Sequence, residues 1–282
     1  MIRRLLALCT AAALVLALTP PAHAAAGVYV ALGDSAASGP LIPNQILPQL
    51  GCFRSDRNYA HLSASDLGAS LRDVTCSGAE VQDMYESQRT ELGTVPPQLD
   101  AVGPDATLVT VQIGGNDLDL TGFIEDCLSI LPGDPCYDEY REPDGRDRFR
   151  VGTDALRPRV DQLIRDIRAR APQARIFVVG YGTYAPRNGC WPRVPVLSVD
   201  ANYIRATLAY FNQALREQAA AMGVGFVDFQ TPSEGHDPCK SSSVRWIEPY
   251  VPASAAVPFH PNALGMRNFA AIVTRTVRTP AP

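Results

Sequence analysis

The chain has 282 residues, of which 46% are hydrophobic and 19% charged. That is ample material for a packed core and excludes a disordered or coiled-coil protein. Setting aside Arg3 and Arg4 of the leader described next leaves 23 basic against 29 acidic residues, the wrong balance for a nucleic-acid binder. No block of like charge is long enough to form a tail, and no second apolar stretch reaches the length of a bilayer crossing.

In chain order, Arg3 and Arg4 precede an apolar run from Leu5 to Leu18, and Ala22-His23-Ala24 then offers small residues where a signal peptidase reads. The run is short for a membrane span, so residues 1–24 are expected to be a signal peptide and residues 25–282 a single exported domain. Val28 to Leu32 reads as a first buried strand ended by Gly33, Asn58 to Leu67 as a helix, and Leu71 to Thr75 as a short strand. Thr107 to Ile113, rich in Val, Ile and Thr, is a strong strand stopped by Gly114-Gly115. From Asp154 onward, Leu156, Val160, Leu163, Ile164 and Ile167 share a helical face, and Arg175 to Gly180 returns to a strand. Asp200 is placed to cap a long helix whose stripe is Ile204, Leu208, Phe211, Leu215 and Met222, with Gly223 at its end. Val224 to Phe229 is the last strand, and Asn262 to Val277 a final helix started after Pro261. Gly133 to Arg148 and Pro186 to Pro195 read as surface loops bounded by cysteines rather than as linkers. This alternation predicts an α/β protein, a parallel sheet covered by helices on both faces, with its chemistry outside the carboxyl ends of the strands.

Cys9 belongs to the leader, which leaves Cys52, Cys76, Cys127, Cys136, Cys190 and Cys239. An even set in an exported chain reads as three disulfides, and no Cys/His spacing matches a zinc site. Six cysteines allow 15 pairings. The simplest is sequential, Cys52–Cys76, Cys127–Cys136 and Cys190–Cys239, because each bridge then pins one local excursion without threading the chain.

Three short patterns sit where the strands end. Gly33-Asp34-Ser35 follows the first strand and puts a hydroxyl at its carboxyl end, although such residues also serve ordinary turns. Gly114-Gly115-Asn116-Asp117 follows the strongest strand and brings an amide side chain, a possible oxyanion donor, to the same edge. Gly78 follows the short strand and offers a backbone N–H with no side chain in its way. A serine nucleophile needs a base, and outside the leader the histidines are His61, within a helix, His236, in a loop near Cys239, and His260. His260 stands between an apolar, proline-rich loop and the last helix, where Pro261 fixes its place.

These four blocks, in this order and spacing along nearly the whole chain after the leader, resemble the SGNH, or GDSL-type, hydrolases. The six cysteines and the Arg245-Trp246-Ile247-Glu248-Pro249 segment further resemble the secreted lipases and esterases of actinomycetes within that family. The resemblance implies a flavodoxin-like three-layer α/β/α sandwich with a central parallel five-stranded sheet. It implies that Ser35 attacks an ester carbonyl, that His260 takes the proton, and that the oxyanion is held by the N–H groups of Ser35 and Gly78 and the amide of Asn116. No cofactor and no metal are called for. The family usually has aspartate three residues before the histidine; here Val257 stands there. A backbone carbonyl, that of Val257 or a close neighbour, is expected to orient the ring, the alternative being a distant acid such as Asp237 or Glu248. The expected substrates are lipid-like acyl esters, phospholipids among them, handled by a monomer with no nucleic-acid partner and no membrane segment once the leader is removed. A carbohydrate O-acetyl esterase, and a non-catalytic surface-binding protein on the same fold, are the alternatives. The apolar residues of the Pro40 to Leu50 loop (Leu41, Ile42, Ile46, Leu47 and Leu50) fit either an acyl site or the core.

Overall fold

A computed structural model describes residues 27–279 apart from 130, 132 and 134; the expected leader lies outside the described residues. In chain order the elements are β1 (Val28–Gly33), α1 (Ser35–Ser38), α2 (Tyr59–Leu67), β2 (Ser70–Asp73), the hairpin strands β3 (Gln88–Thr90) and β4 (Gly93–Val95), and β5 (Ala106–Gln112). There follow α3 (Leu120–Asp126), α4 (Arg148–Arg170), β6 (Arg175–Val179), α5 (Ser198–Ala221), β7 (Gly225–Val227) and α6 (Ala263–Arg278). Five strands form one parallel sheet in the order β2-β1-β5-β6-β7.

Side chains alternate across a strand, so each strand feeds two cores. Val30 and Leu32 of β1 and Val109 and Val111 of β5 pack with the stripe Leu156, Val160, Leu163 and Ile167 of α4 and with Ile204, Leu208 and Phe211 of α5. Tyr29 and Ala31, Leu108 and Phe177 face the other way, against Tyr59, Ala60 and Ala64 of α2 and Met266, Phe269 and Val273 of α6. This is the expected three-layer sandwich. Among the described residues no helix is long and apolar enough to cross a membrane.

The sheet order reverses direction between β1 and β5. Doubly wound sheets bind ligands at that switch point, because the loops leaving its two strands diverge to opposite faces and open a crevice. The register pairs Gly33 with Gln112, so the two strands end level and their following loops start from one edge.

Two expected helix starts move by more than one residue. The long helix expected from Asp154 begins at Arg148, where Asp147 caps it by accepting from the Arg150 N–H at 2.9 Å. Asp200 does not cap α5: the helix starts at Ser198, and the Asp200 carboxylate instead accepts from the Tyr137 N–H at 3.2 Å, tying the loop after Cys136 to α5. The three disulfides join Cys52 to Cys76, Cys127 to Cys136 and Cys190 to Cys239. Among the described residues, the one grouping with metal-like spacing is Cys127, Cys136 and Asp200, and its two thiols are spent on a disulfide.

Candidate active site

The loop that carries Ser35 is made by close packing. At Gly33 a Cβ would lie 2.7 Å from the Gln112 carbonyl oxygen and 2.9 Å from the Ala37 Cβ, so only glycine lets β1 turn against the end of β5. Asp34 then caps α1, its carboxylate accepting from the Ala36 N–H at 2.9 Å, which fixes Ser35 as the first residue of the turn. Gly114 does the same for β5: its φ is +107° and a Cβ would come within 2.7 Å of Leu156 and 2.9 Å of Phe211.

His260 reaches the same place from the far end of the chain. Its Nε2 lies 2.7 Å from the Ser35 Oγ, across 225 residues of sequence. Its Nδ1 lies 2.8 Å from the Pro258 carbonyl oxygen. A carbonyl only accepts, so Nδ1 carries the hydrogen and Nε2 presents its lone pair to the serine. Of the expected candidates, Val257 or a close neighbour, it is the neighbour Pro258 that meets the ring, whereas Val257 itself is corrected: its carbonyl accepts from the His260 backbone N–H at 3.1 Å. Phe259, in the left-handed region at φ +56°, makes the turn that brings the Pro258 carbonyl under the imidazole instead.

The distant acids are engaged elsewhere. The buried Glu248 carboxylate accepts from Arg245 at 2.7 Å, from the Asn262 amide at 2.7 Å and from the Ala253 N–H at 2.9 Å. Burial raises its pKa, but those three donors outweigh burial and hold it below the ordinary range. Asp237 accepts from the Cys239 N–H, and Asp228 from Arg216 and Thr231. Glu248 therefore braces the histidine loop rather than the ring, since Asn262 also caps α6 by accepting from the Gly265 N–H at 2.9 Å. The other histidines serve structure: His61 lies on α2 beside Asp73 at 3.2 Å, and His236 stacks on Trp246.

Ser35, Asn116 and His260 line one cleft. Gly78 lies outside that lining, in an adjoining depression with Ser77 and Gln88. The two are joined by Asn116, whose Nδ2 donates to the Ala79 carbonyl at 2.8 Å, and by Asp117, which accepts from the Val81 N–H at 3.0 Å. Among the described residues, neither the Ser35 N–H nor the Gly78 N–H donates to a backbone carbonyl of the surrounding turns. One N–H of the Asn116 amide is used on Ala79, which leaves the second to point elsewhere.

Sequence reasoning missed Tyr181, just past β6. Its hydroxyl donates to the Asp34 carboxylate and accepts from the Gly115 N–H at 3.0 Å. It therefore clamps the serine loop to the asparagine loop from the floor of the cleft. Burial pushes the Asp34 carboxyl up to about 7 against the Tyr181 and Ala36 hydrogen bonds, which favour its ionised form. Burial also lowers the His260 pKa below 6.5, with the Pro258 carbonyl opposing that shift. Its neutral form thus extends to lower pH than a free imidazole's would.

The acyl-site expectation for the 40–50 loop is not met within this cleft. Ile42 is buried in the core, Leu41, Leu47 and Leu50 are exposed, and the apolar lining comes instead from Leu120, Ile124 and Leu208.

Residues 31–267 match the model of the GDSL-like Lipase/Acylhydrolase family. Lipase 2 of Streptomyces coelicolor is 39% identical over 255 residues, covering 86% of this chain and 83% of the relative. Phospholipase A1 from Streptomyces albidoflavus superposes with a TM-score of 0.73 at 25% identity, over 89% of this chain and 100% of that one. The extracellular lipase from Streptomyces rimosus gives 0.73 at 27% identity over the same shares. The family match spans most of the chain, so the protein belongs to the GDSL-like lipases and acylhydrolases and is an ester hydrolase of the lipase/esterase kind.

Proposed function

We propose that the protein is a secreted lipase or esterase that cleaves acyl esters through a Ser35–His260 dyad and an acyl-enzyme. The observation that carries this is the 2.7 Å contact between His260 Nε2 and Ser35 Oγ, with the opposite ring nitrogen held by a carbonyl. His260 removes the hydroxyl proton as Ser35 Oγ bonds to the ester carbonyl carbon, and the carbonyl electrons move onto oxygen. The resulting oxyanion is met by the N–H groups of Ser35 and Gly78 and the free amide N–H of Asn116. Collapse breaks the bond to the alcohol oxygen, which takes the proton from His260 and leaves. Water, losing a proton to the same imidazole, then attacks the acyl carbonyl, the bond to Ser35 Oγ breaks, the serine recovers its proton from His260 and the acid leaves.

The Pro258 carbonyl fixes the tautomer without adding a negative charge, so the imidazolium formed in the transition state is stabilised less than in an aspartate triad. An apolar wall at Leu120, Ile124 and Leu208 beside the serine supports an acyl chain over a sugar as the group bound there. Six cysteines paired as disulfides support export, since such bonds persist outside the reducing cytosol.

A serine-directed phosphonate should add one label at Ser35, and Ser35→Ala should abolish both labelling and p-nitrophenyl ester hydrolysis. Label elsewhere, or full activity in that variant, overturns the mechanism. Asn116→Ala should lower kcat on the order of 10²–10³-fold with a smaller effect on KM, as expected for a donor used chiefly in the transition state.

A further inference from the structure

The Gly78 N–H can meet an oxyanion only if its peptide plane faces the right way, and a turn can hold that plane in either of two orientations. Residues 76–79 form a turn closed by the Ala79 N–H donating to the Cys76 carbonyl at 3.2 Å, with Gly78 at φ +78°. A positive φ of that size at the third residue marks a type II turn; a type I turn has φ near about −90° there. The two forms differ by a half-rotation of one peptide plane, the plane that joins Ser77 to Gly78. Glycine accepts either sign of φ, so residue 78 does not itself choose between them. A flip would carry the Gly78 N–H to the opposite side.

The plane is held from its other end. The Ser77 carbonyl and the Gly78 N–H belong to one planar trans peptide and point in opposite directions. That carbonyl accepts from Gln88 Nε2 at 2.8 Å. Gln88, only 6% exposed, stands on β3 opposite Val95 of β4, and Val95 packs on the Cys52–Cys76 bridge that bounds the same turn. A carbonyl only accepts, so the nitrogen of the Gln88 amide must be the atom that faces it. The other atom of that amide, Oε1, is buried and meets no partner among the described residues. An unpaired buried acceptor costs stability that an apolar side chain would not, so packing alone does not account for a glutamine at this position. A donor needed at the Ser77 oxygen does.

We propose that Gln88 is a positioning residue for ester hydrolysis, which locks the Ser77–Gly78 peptide in the orientation that turns the Gly78 N–H toward the oxyanion; this rests on the roles proposed above for Ser35 and Gly78. The same bond draws electron density onto the Ser77 oxygen and makes the N–H at the far end of the amide a stronger donor. The β3–β4 hairpin, which stands apart from the five-stranded sheet, is then the strut that carries this lock.

The test reads kcat and KM on p-nitrophenyl butyrate, and the Ki of a trifluoromethyl ketone, whose adduct with Ser35 Oγ bears the oxyanion. Gln88→Glu keeps the shape but turns an oxygen on the Ser77 carbonyl, and should lower kcat about 10-fold or more, up to the 10²–10³ of a lost donor, with KM within about 3-fold of wild type. Gln88→Met removes the donor without adding charge, should lower kcat at least about 3-fold, and serves if the glutamate variant folds poorly. In both, the Ki of the ketone should rise in step with the fall in kcat, which a purely structural role for the hairpin would not produce. Gly78→Val, a β-branched residue at a positive φ, should turn the peptide over by itself and lower kcat on the order of 10²–10³-fold. On that background Gln88→Met should change kcat by less than about 2-fold, because both substitutions act on one N–H. Folded Gln88 variants with kcat within about 2-fold of wild type, a fall in kcat with the ketone Ki unchanged, or effects that multiply in the double variant, overturn the proposal. Full activity in Gly78→Val would instead remove Gly78 from the oxyanion, and this inference with it.

Discussion

His260, the proposed base, has its charge managed by burial and one neutral oxygen. Burial lowers its pKa, and among the described residues no carboxylate contact raises it. The acid limb of kcat/KM on a soluble ester should therefore fall below pH 6.5, and a limb above 7 would reveal a missed acid near the ring. Asp34, the residue just before Ser35, works in the opposite sense. Its folded pKa of about 7 lies above its unfolded value of 3.8. The stability it contributes is complete below 3.8 and is lost as pH rises to 7. Asp34→Asn removes that titration. The melting temperature of the variant minus that of wild type should increase between pH 5 and pH 8 by several degrees, corresponding to a few kcal/mol. A difference independent of pH would show that Asp34 is ionised throughout.

Among the elements, the segment from Trp246 to Asn262 decides where the histidine sits. Its ends are drawn together by the Glu248 N–H donating to the His260 carbonyl at 3.0 Å and the Phe259 N–H donating to the Glu248 carbonyl at 3.1 Å. The Glu248 side chain adds the buried bond to Arg245. Because its pKa is depressed, Glu248 contributes stability above about pH 4.5 that is lost on acidification through its folded value. Glu248→Gln leaves Arg245 buried without a counter-charge and should cost about 3 kcal/mol of stability in denaturant melts. The kcat of the folded fraction should change little. A fall near 10⁴ in kcat with the fold intact would mark Glu248 as the ring's orienting group after all.

The strands β1, β5 and β6 were legible because both faces are buried, which writes a continuous apolar run, and the long helices because each presents one stripe. The β3–β4 hairpin was not: Gln88, Arg89 and Thr90 show no apolar alternation, and it is held to the rest by bonds such as Gln88 to the Ser77 carbonyl at 2.8 Å. That Ser35, Asn116 and His260 share one cleft was legible because each lies within a few residues of a strand end or a helix start. Tyr181 could not, since its partners are 147 and 66 residues away and nothing local distinguishes it from a core aromatic. The Val257 expectation missed by one residue because a left-handed turn at Phe259 changes which carbonyl faces the ring, and sequence spacing does not report a φ angle.

For the whole molecule, the disulfides hold the loops around the sheet's carboxyl edge rather than the sheet itself. Cys52–Cys76 closes the excursion that carries Gly78, with the Ser77 N–H donating to the Cys52 carbonyl at 3.0 Å. The paired change Cys52→Ala with Cys76→Ala should cost about 3 kcal/mol by the loop-entropy model. It should also lower kcat, because the Gly78 N–H loses its support. Stability lost with kcat untouched would separate Gly78 from the oxyanion. The 225 positions that separate Ser35 from His260 carry a further consequence for how the protein comes into being. The serine is delivered early and its imidazole almost last, on a segment that holds its place only once α6 has seated against α2 and the sheet. On the proposed reading of an exported Ser35–His260 hydrolase, a chain threaded across a bilayer N-terminus first carries its serine past the lipids without a base to activate it, and hydrolysis begins only after the C-terminal helix has docked on the far side.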